Sequence, residues 1–198
     1  LAQDASDKSE FLKKAAIIQR TVGDTDGARS SWMSALDYSQ EDRESLCGLR
    51  ELAEEEGDHR AVVGVLAREA AISEGNEKVE LHSWIARVWE EKIEDSNVAT
   101  EAWRKVLELE GENITALERL SVLTKEAGDW TGFVDYSSTL IGFVDGEAKS
   151  SLCRQVGMAI KDHIKDEARA IQYLQMAVEG PDGDLQAAVT LEKIFTIE

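Results

Sequence analysis

The chain has 198 residues, of which 42% are hydrophobic, and its 40 acidic and 22 basic side chains give a net charge of −18. This charge disfavours a nucleic-acid backbone or an anionic membrane as partner and favours basic proteins or peptides, although solubility alone explains it equally well. The sequence contains no run of about 18 apolar residues, so we expect no membrane insertion.

The start of the sequence and its cysteines give an expectation about the compartment. The first residue is Leu1, and no signal-peptide pattern follows it, so we interpret the sequence as a fragment of a longer array whose targeting segment is missing. Cys47 and Cys153 stand at unrelated positions, which favours two buried thiols in a reducing compartment over a disulfide framework. We therefore expect a cytoplasmic protein.

The chain repeats itself with a period of 71 residues and without a gap. Gly57 and Asp58, for example, recur as Gly128 and Asp129. Positions that recur in all three superunits include Asp24, Asp95 and Asp166; Ala28, Ala99 and Ala170; and Leu49, Leu120 and Leu191. Such a period predicts a stacked array in which each unit buries its apolar face on its neighbours.

Apolar residues recur at helical spacing within each superunit. From Leu46 they fall at 46, 49, 52 and 53, in three- and four-residue steps. Asp42, Asn113 and Asp184 are equivalent, and each precedes an apolar run, where its side chain is predicted to cap a helix. Gly57 is predicted to end a helix, as is its equivalent in the second superunit, because glycine adopts the left-handed conformation at little cost. A complete superunit should therefore hold two helical hairpins.

The second helix of alternate hairpins carries an alanine, a large residue four positions later and a small residue three positions further on. The matching triplets are Ala28, Trp32 and Ala35; Ala99, Trp103 and Val106; and Ala170, Leu174 and Ala177. This pattern resembles the second-helix signature of the tetratricopeptide-repeat family. Val62 and Phe133 replace the alanine in the other hairpins, so these repeats are degenerate.

The resemblance covers nearly all of the chain and implies an all-α fold without strands. We expect an α-solenoid of stacked hairpins in a right-handed superhelix with about eleven helices. The alanines should let two helix backbones approach, while Trp32, Trp103 and Leu174 fill the space beside the next hairpin. The expected single solenoid spans residues 1–198, with hairpins over 9–42, 43–79, 80–113, 114–150 and 151–184 and a lone helix over 185–198.

No arrangement of residues in the sequence points to catalysis. His59, His82 and His163 lie in different hairpins and lack a cysteine or acidic partner at metal-ligand spacing. A glycine-rich phosphate loop, a nucleophile elbow and a His-Glu-x-x-His pattern are all absent. We therefore predict a protein that is not an enzyme and has no metal or cofactor.

The resemblance implies a protein-interaction scaffold or adaptor, because the first helices of this family line a concave surface. We expect this surface to be acidic and to bind a basic-apolar peptide or protein segment. The cluster of Lys, Asn and Arg with which some members grip carboxylate tails is matched here by Lys13 alone. The residues expected on the surface are Lys13, Ile17, Arg20, Glu51, Glu54, Trp84, Val88, Glu91, Glu118, Val122 and Gln155.

Trp84 differs from the other candidates, because its equivalents Lys13 and Gln155 are polar. Helical spacing places Trp84 and Val88 on one face beside Glu91. Since interface hot spots are enriched in tryptophan, we expect Trp84 to be an exposed anchor for a partner. Packing between hairpins is the competing interpretation, because tryptophan is usually well buried.

Two other roles are compatible with the sequence. The chain can be one stretch of a longer rod that spaces or assembles other domains, with Leu185, Leu191 and Phe195 of the last helix awaiting a partner or a second copy. It can also be the regulatory domain of an enzyme located elsewhere in the full protein.

Overall fold

The computed structural model describes residues 2–180 and 183–196, and these residues form eleven α-helices without any strand. The all-α prediction and the helix number are therefore confirmed for the described chain. The expected outer limits at residues 1 and 198 lie outside the described residues. The chain divides into two compact units, Leu1–Ala102 and Trp103–Glu198, with the boundary inside one helix.

The first unit is built from consecutive helices that each pack on the next. Helix α1 packs on α2, α2 on α3, α3 on α4 and α4 on α5. The helix that contains the boundary is α6. The bounds are α1 Ala2–Thr21, α2 Thr25–Tyr38, α3 Arg43–Glu56, α4 His59–Ala71, α5 Gly75–Glu91 and α6 Ser96–Leu109.

The second unit follows the same plan, and α7 packs on α8, α8 on α9, α9 on α10 and α10 on α11. A 3₁₀ turn over Ile141–Phe143 extends α8, and a π-helical turn over Ile160–Ile164 extends α9. The bounds are α7 Ile114–Glu126, α8 Trp130–Leu140, α9 Gly146–Ala159, α10 Glu167–Val178 and α11 Leu185–Thr196.

Three first helices begin earlier than the sequence predicted. Helix α1 includes Ala2 where a start at 9 was expected, α5 begins at Gly75 rather than at 80, and α9 begins at Gly146 rather than at 151. The extra turns of α5 and α9 are polar and carry Glu77 and Glu147. Acidic residues favour a helix N-terminus because they complement the positive end of its dipole, and a search for apolar periodicity does not detect such turns.

The helix caps follow the 71-residue period. The side chains of Asp24, Asp95 and Asp166 each accept a hydrogen bond from the backbone N–H three residues later. The predicted caps of α3, α7 and α11 are confirmed at Asp42, Asn113 and Asp184, with distances of 2.8, 2.9 and 3.0 Å. Gly57 (φ 71°) and Gly128 (φ 75°) take the left-handed conformation after α3 and α7, as the sequence predicted.

Pairs of small and large residues hold the hairpins together. Ala28 and Ala99 are fully buried, as is Ala170. Trp103 is also fully buried, which confirms its predicted place in the core. Trp32 of α2 is 3% exposed, and its indole lies directly over Gly48 of α3, where a Cβ would overlap the ring. Close approach of these two helices therefore depends on the absence of a side chain at Gly48.

Candidate functional site

The predicted partner-binding residues fall into the two units. Eight of them lie in the first unit: Lys13, Ile17, Arg20, Glu51, Glu54, Trp84, Val88 and Glu91. Three lie in the second unit: Glu118, Val122 and Gln155.

Ion pairs join α1 to the start of α3. Lys13 Nζ lies 2.8 Å from a Glu44 carboxylate oxygen, 3.2 Å from Asp42 and 3.1 Å from Glu10. The Lys13 side chain is only 13% exposed. Its pKa is raised, first by the hydrogen bond to Glu44 and then by those to Glu10 and Asp42, against the effect of burial. Lys13 is thus bound to acidic groups of its own chain.

A second set of ion pairs joins the end of α1 to the end of α3. Arg20 donates from Nη1 to Glu51 at 2.5 Å and from Nη2 to Glu55. The hydrogen bond from Arg20 is the main cause of a lowered pKa at Glu51. Ile17 is 48% exposed, and it lines a hollow of about 440 Å³ together with Arg20, Trp32 and Glu55. Arg20 thus holds two carboxylates of α3, and this side of the first unit keeps more acidic than basic groups.

Arg50 of α3 contacts side chains of α3, α4 and α5, and the sequence pattern did not identify it. Its Nε donates to Glu69 at 3.0 Å, and its Nη1 donates to Glu54 at 3.3 Å. The guanidinium carbon lies 4.7 Å from the ring centroid of Trp84. Burial raises the pKa of the Glu69 carboxyl, although Arg50 acts in the opposite direction. A single sequence cannot reveal this cluster, because its members come from three helices.

Trp84 is half-buried, and the expectation of an exposed apolar spot beside it is wrong. Val88, its predicted neighbour on the surface, is 6% exposed and belongs to a buried cluster with Val62 and Leu66. Trp84 packs against that same cluster. Glu91, the last residue of α5, is exposed as expected. Trp84 therefore takes part in the packing of the first unit, which was the competing interpretation.

Three predicted residues converge in the second unit. Glu118 and Val122 of α7 and Gln155 of α9 line one cavity of about 460 Å³, here called the α7–α9 cavity. Buried Phe133 and Leu140 of α8 contribute apolar lining. The remaining lining residues are Ser121, Lys125, Glu126 and Leu152.

Lys125 spans the α7–α9 cavity. Its Nζ donates to Gln155 Oε1 at 2.8 Å and lies 5.4 Å from the ring centroid of Phe133. Val122 is 43% exposed and Glu118 is exposed, so an apolar and an acidic side chain stand close together on α7. The sequence missed Phe133 as a lining residue, because the prediction selected only positions between the packing residues of first helices.

Other chemical features of the described residues are limited. No group of three or more His, Cys, Asp or Glu side chains in the described chain has a geometry that could hold a metal ion. Cys153 is buried and Cys47 is half-buried, and both are free thiols. Burial is the main cause of the raised pKa at each thiol. Among the described helices, none combines the length and apolar character needed to cross a bilayer.

Comparison with known proteins gives structural likenesses only. No protein-family model matches the sequence, and no curated protein matches it. The structure of MamA AMB-1 is similar with a TM-score of 0.52 and 16% identity, over 91% of this chain and 96% of that chain. A mutant of MamA gives a TM-score of 0.51 and 16% identity, over 92% and 97%. YrrB, described as a TPR protein with an unusual peptide-binding site, gives 0.48 and 13%, over 92% and 90%.

These neighbours are TPR-type repeat proteins. At such low identity the likeness concerns the fold and not a ligand. It agrees with the second-helix signature at Ala28, Ala99 and Ala170 and with the helix-by-helix packing of each unit. The chain has the helical-hairpin repeat fold of the tetratricopeptide type.

Proposed function

We propose that the chain is a non-enzymatic protein-interaction scaffold that binds a peptide segment of a partner in the α7–α9 cavity. The observation that carries this proposal is the convergence of Glu118, Val122 and Gln155 on one cavity with a buried apolar lining. Its volume of about 460 Å³ falls within the range of about 300 to 1,000 Å³ that is usual for ligand sites. The tetratricopeptide-type fold supports a scaffold in general terms.

The expected segment carries an apolar side chain flanked by basic ones. An apolar side chain in the cavity would pack against Val122, Leu152 and Phe133 and would lose contact with water. Glu118 and Glu126 border the same space, are exposed, and form no ion pair with any described residue. They can therefore pair with lysine or arginine of the partner.

The positive charge of Lys125 in the α7–α9 cavity does not reverse the preference for basic residues of the partner. Lys125 is the one basic residue among the described lining residues. Its ammonium group is already held by Gln155 and by the face of Phe133. The two carboxylates of Glu118 and Glu126 therefore dominate the local charge.

The face of the first unit is the weaker candidate. Lys13, Arg20, Glu51 and Glu54 are all held in ion pairs with other side chains of the same unit. A partner would have to break these pairs before it could use the charges, and exposed pairs of this kind offer little net energy in exchange. We therefore assign the specificity of the scaffold to the second unit.

Selection of short random peptides displayed on phage tests the proposal. Peptides that bind the native chain should combine an apolar residue with lysine or arginine. Val122→Lys should weaken a selected peptide by at least about tenfold, because it removes the apolar contact and adds a repelling charge. The matched control is Val98→Lys on α6, where the valine is 37% exposed, compared with 43% for Val122.

Three outcomes would contradict the proposal. The first is failure of the native chain to select any peptide. The second is unchanged affinity in Val122→Lys, and the third is an equal loss in Val98→Lys. Both substitutions replace exposed side chains, so the thermal melts of the two variants should match that of the native chain to within about 0.5 kcal/mol.

A structural role in assembly is the second candidate, and α11 is the element that favours it. Leu185, Val189 and Phe195 are 80%, 45% and 56% exposed, which is an unusual amount of apolar surface for one helix. Sedimentation velocity of the native chain and of Phe195→Glu tests this role. Self-association that the substitution abolishes supports assembly, and a monomer at every concentration contradicts it.

A further inference from the structure

The second unit contains another cavity, of about 670 Å³, that shares no residue with the α7–α9 cavity. Lys161, Lys165 and Lys193 line it together with the apolar side chains of Met158 and Ile194. Three cations around one cavity are unexpected in a chain with 40 acidic and 22 basic residues. We refer to it as the lysine cavity.

Two elements supply the lysines. Lys161 and Lys165 come from the π-helical turn at the end of α9 and from its cap, and Lys193 comes from α11. Lys161 pairs with its neighbour Asp162 at 2.6 Å. Lys165 and Lys193 form no ion pair with any residue that the structure describes. Two ammonium groups at this cavity are thus available to an anionic ligand.

The fold does not require lysines at these positions. The equivalents of Lys161 in the first two superunits are Gln19 and Glu90, and those of Lys193 are Glu51 and Val122. At the position of Lys165 the fold requires only a residue in the left-handed backbone conformation. Gly23 (φ 83°), Glu94 (φ 59°) and Lys165 (φ 66°) all adopt this conformation. The equivalent positions of the other superunits hold no basic residue, so the lysine cavity is specific to the third superunit.

We propose that the lysine cavity is a second binding site, which takes an acidic-apolar peptide segment. Carboxylates of the segment pair with Lys165 and Lys193, and an aliphatic side chain between them packs against Met158 and Ile194. A bare inorganic anion would leave the apolar lining unused. Glu167, which also lines the cavity, disfavours a compact multiply charged anion by repulsion. This site prefers the opposite charge to the one proposed for the α7–α9 cavity.

Fluorescence anisotropy with a labelled peptide, in which glutamates flank one leucine, tests the proposal. The double variant Lys165→Gln/Lys193→Gln should bind at least about tenfold more weakly than the native chain, because charge-assisted hydrogen bonds are lost. The control is Lys92→Gln/Lys105→Gln, which removes the same number of charges from exposed lysines outside the cavity. Its affinity should change by less than about twofold.

The apolar half of the site needs its own comparison. Replacing the leucine of the peptide by serine should weaken binding to the native chain. Met158→Ser should weaken the leucine peptide and leave the serine peptide unchanged, since Met158 is 37% exposed and supplies apolar lining to the cavity. Equal affinity of the two peptides for the native chain would overturn the proposal.

The remaining outcomes of these binding experiments would also overturn the proposal. Absence of binding, or an equal loss in the two double variants, would show that no specific site exists. Displacement of the peptide by an equal concentration of inorganic phosphate would identify a simple anion site instead. Binding of phosphatidylserine vesicles that depends on Lys165 and Lys193 and exceeds peptide binding would assign the cavity to a lipid surface, and it would equally overturn the peptide proposal.

Discussion

The surroundings of Trp84 explain an aromatic side chain at a position where the other superunits have Lys13 and Gln155. The ring packs on the buried cluster that includes Val88, and Arg50 covers it at 4.7 Å. A guanidinium over an indole is attracted by the negative face of the ring. Trp84 thus joins α5 to α3 within the first unit, and its covered face is not open to a partner.

Trp84→Ala should lower the free energy of unfolding by about 2 kcal/mol. Removal of a fully buried tryptophan would cost about 3 to 5 kcal/mol, and the cost is smaller here because Trp84 is half-buried. The value of about 2 kcal/mol includes the lost contact with Arg50. Urea denaturation measures the change. Phe11→Ala is the control, since Phe11 is 72% exposed and its loss should cost less than about 0.5 kcal/mol. Equal effects of the two substitutions would contradict the packing role.

Trp103 gives the corresponding prediction for a fully buried ring. Trp103→Ala should cost about 3 to 5 kcal/mol, because it removes a large apolar surface and leaves a cavity. Thermal denaturation monitored by circular dichroism measures the loss. A change below about 1 kcal/mol would mean that the side chain is not part of the core.

At the scale of helices, the contact between α2 and α3 depends on one missing side chain. Gly48→Ala should destabilise the protein by about 1 to 3 kcal/mol, because the new Cβ would overlap atoms of the Trp32 ring. Gly64→Ala is the matched control in α4, since nothing lies within 4 Å of its added Cβ. There the better helix propensity of alanine should stabilise the protein by about 0.5 to 1 kcal/mol. Chemical denaturation that finds the same sign for both would contradict this account.

The ion pairs between α1 and α3 predict a pH dependence. Arg20 lowers the pKa of Glu51 in the folded protein. The pair therefore adds stability above the unfolded-state pKa of glutamate, about 4.3, and loses it as the pH falls through the lower folded-state pKa. Arg20→Met should cost about 0.5 to 1 kcal/mol at neutral pH and little at about pH 3.

Urea denaturation at the two pH values tests this dependence. Lys8→Met is the control, because Lys8 pairs with Asp4 inside α1 and both side chains are exposed. It should change stability by less than about 0.5 kcal/mol at either pH. A cost of Arg20→Met that does not shrink in acid would show that Arg20 stabilises the unit by packing rather than by charge.

Element positions could be predicted where the chemistry is local. The caps at Asp42 and Asn113 lie where the sequence placed them, because an Asx side chain needs only its own helix to act. The early starts of α5 and α9 were missed, because polar first turns leave no apolar signal. Local signals therefore identified which helices exist better than they identified where each one begins.

The candidate site was less predictable than the fold. Repeat position predicted a shared surface for Glu118, Val122 and Gln155, and the three line one cavity because equivalent positions on neighbouring first helices lie side by side. It misjudged Val88, which packs inside the first unit, and it did not identify Arg50. Long side chains contact residues of other helices, and the distances between side chains of different helices cannot be read from a single sequence.

For the whole molecule, the net charge of −18 does not translate into a uniformly acidic binding surface. Of the acidic residues expected on the first unit, Glu51 is bound to Arg20 and Glu54 to Arg50. In the second unit, carboxylates border the α7–α9 cavity, and Lys165 and Lys193 line the other cavity. We therefore expect recognition to be decided by local charges, with specific binding that persists at salt concentrations that screen the field of the whole chain.

Hydrogen–deuterium exchange with and without a peptide selected by the native chain tests whether the α7–α9 cavity binds a partner segment. Binding in the α7–α9 cavity predicts slower amide exchange in α7 around Val122 and in the facing part of α9 around Gln155, with little change in α2 and α4. Val122→Lys should abolish this protection while leaving the exchange of the unbound protein unchanged. Protection confined to helices other than α7 and α9, or protection that persists in Val122→Lys, would contradict the claim.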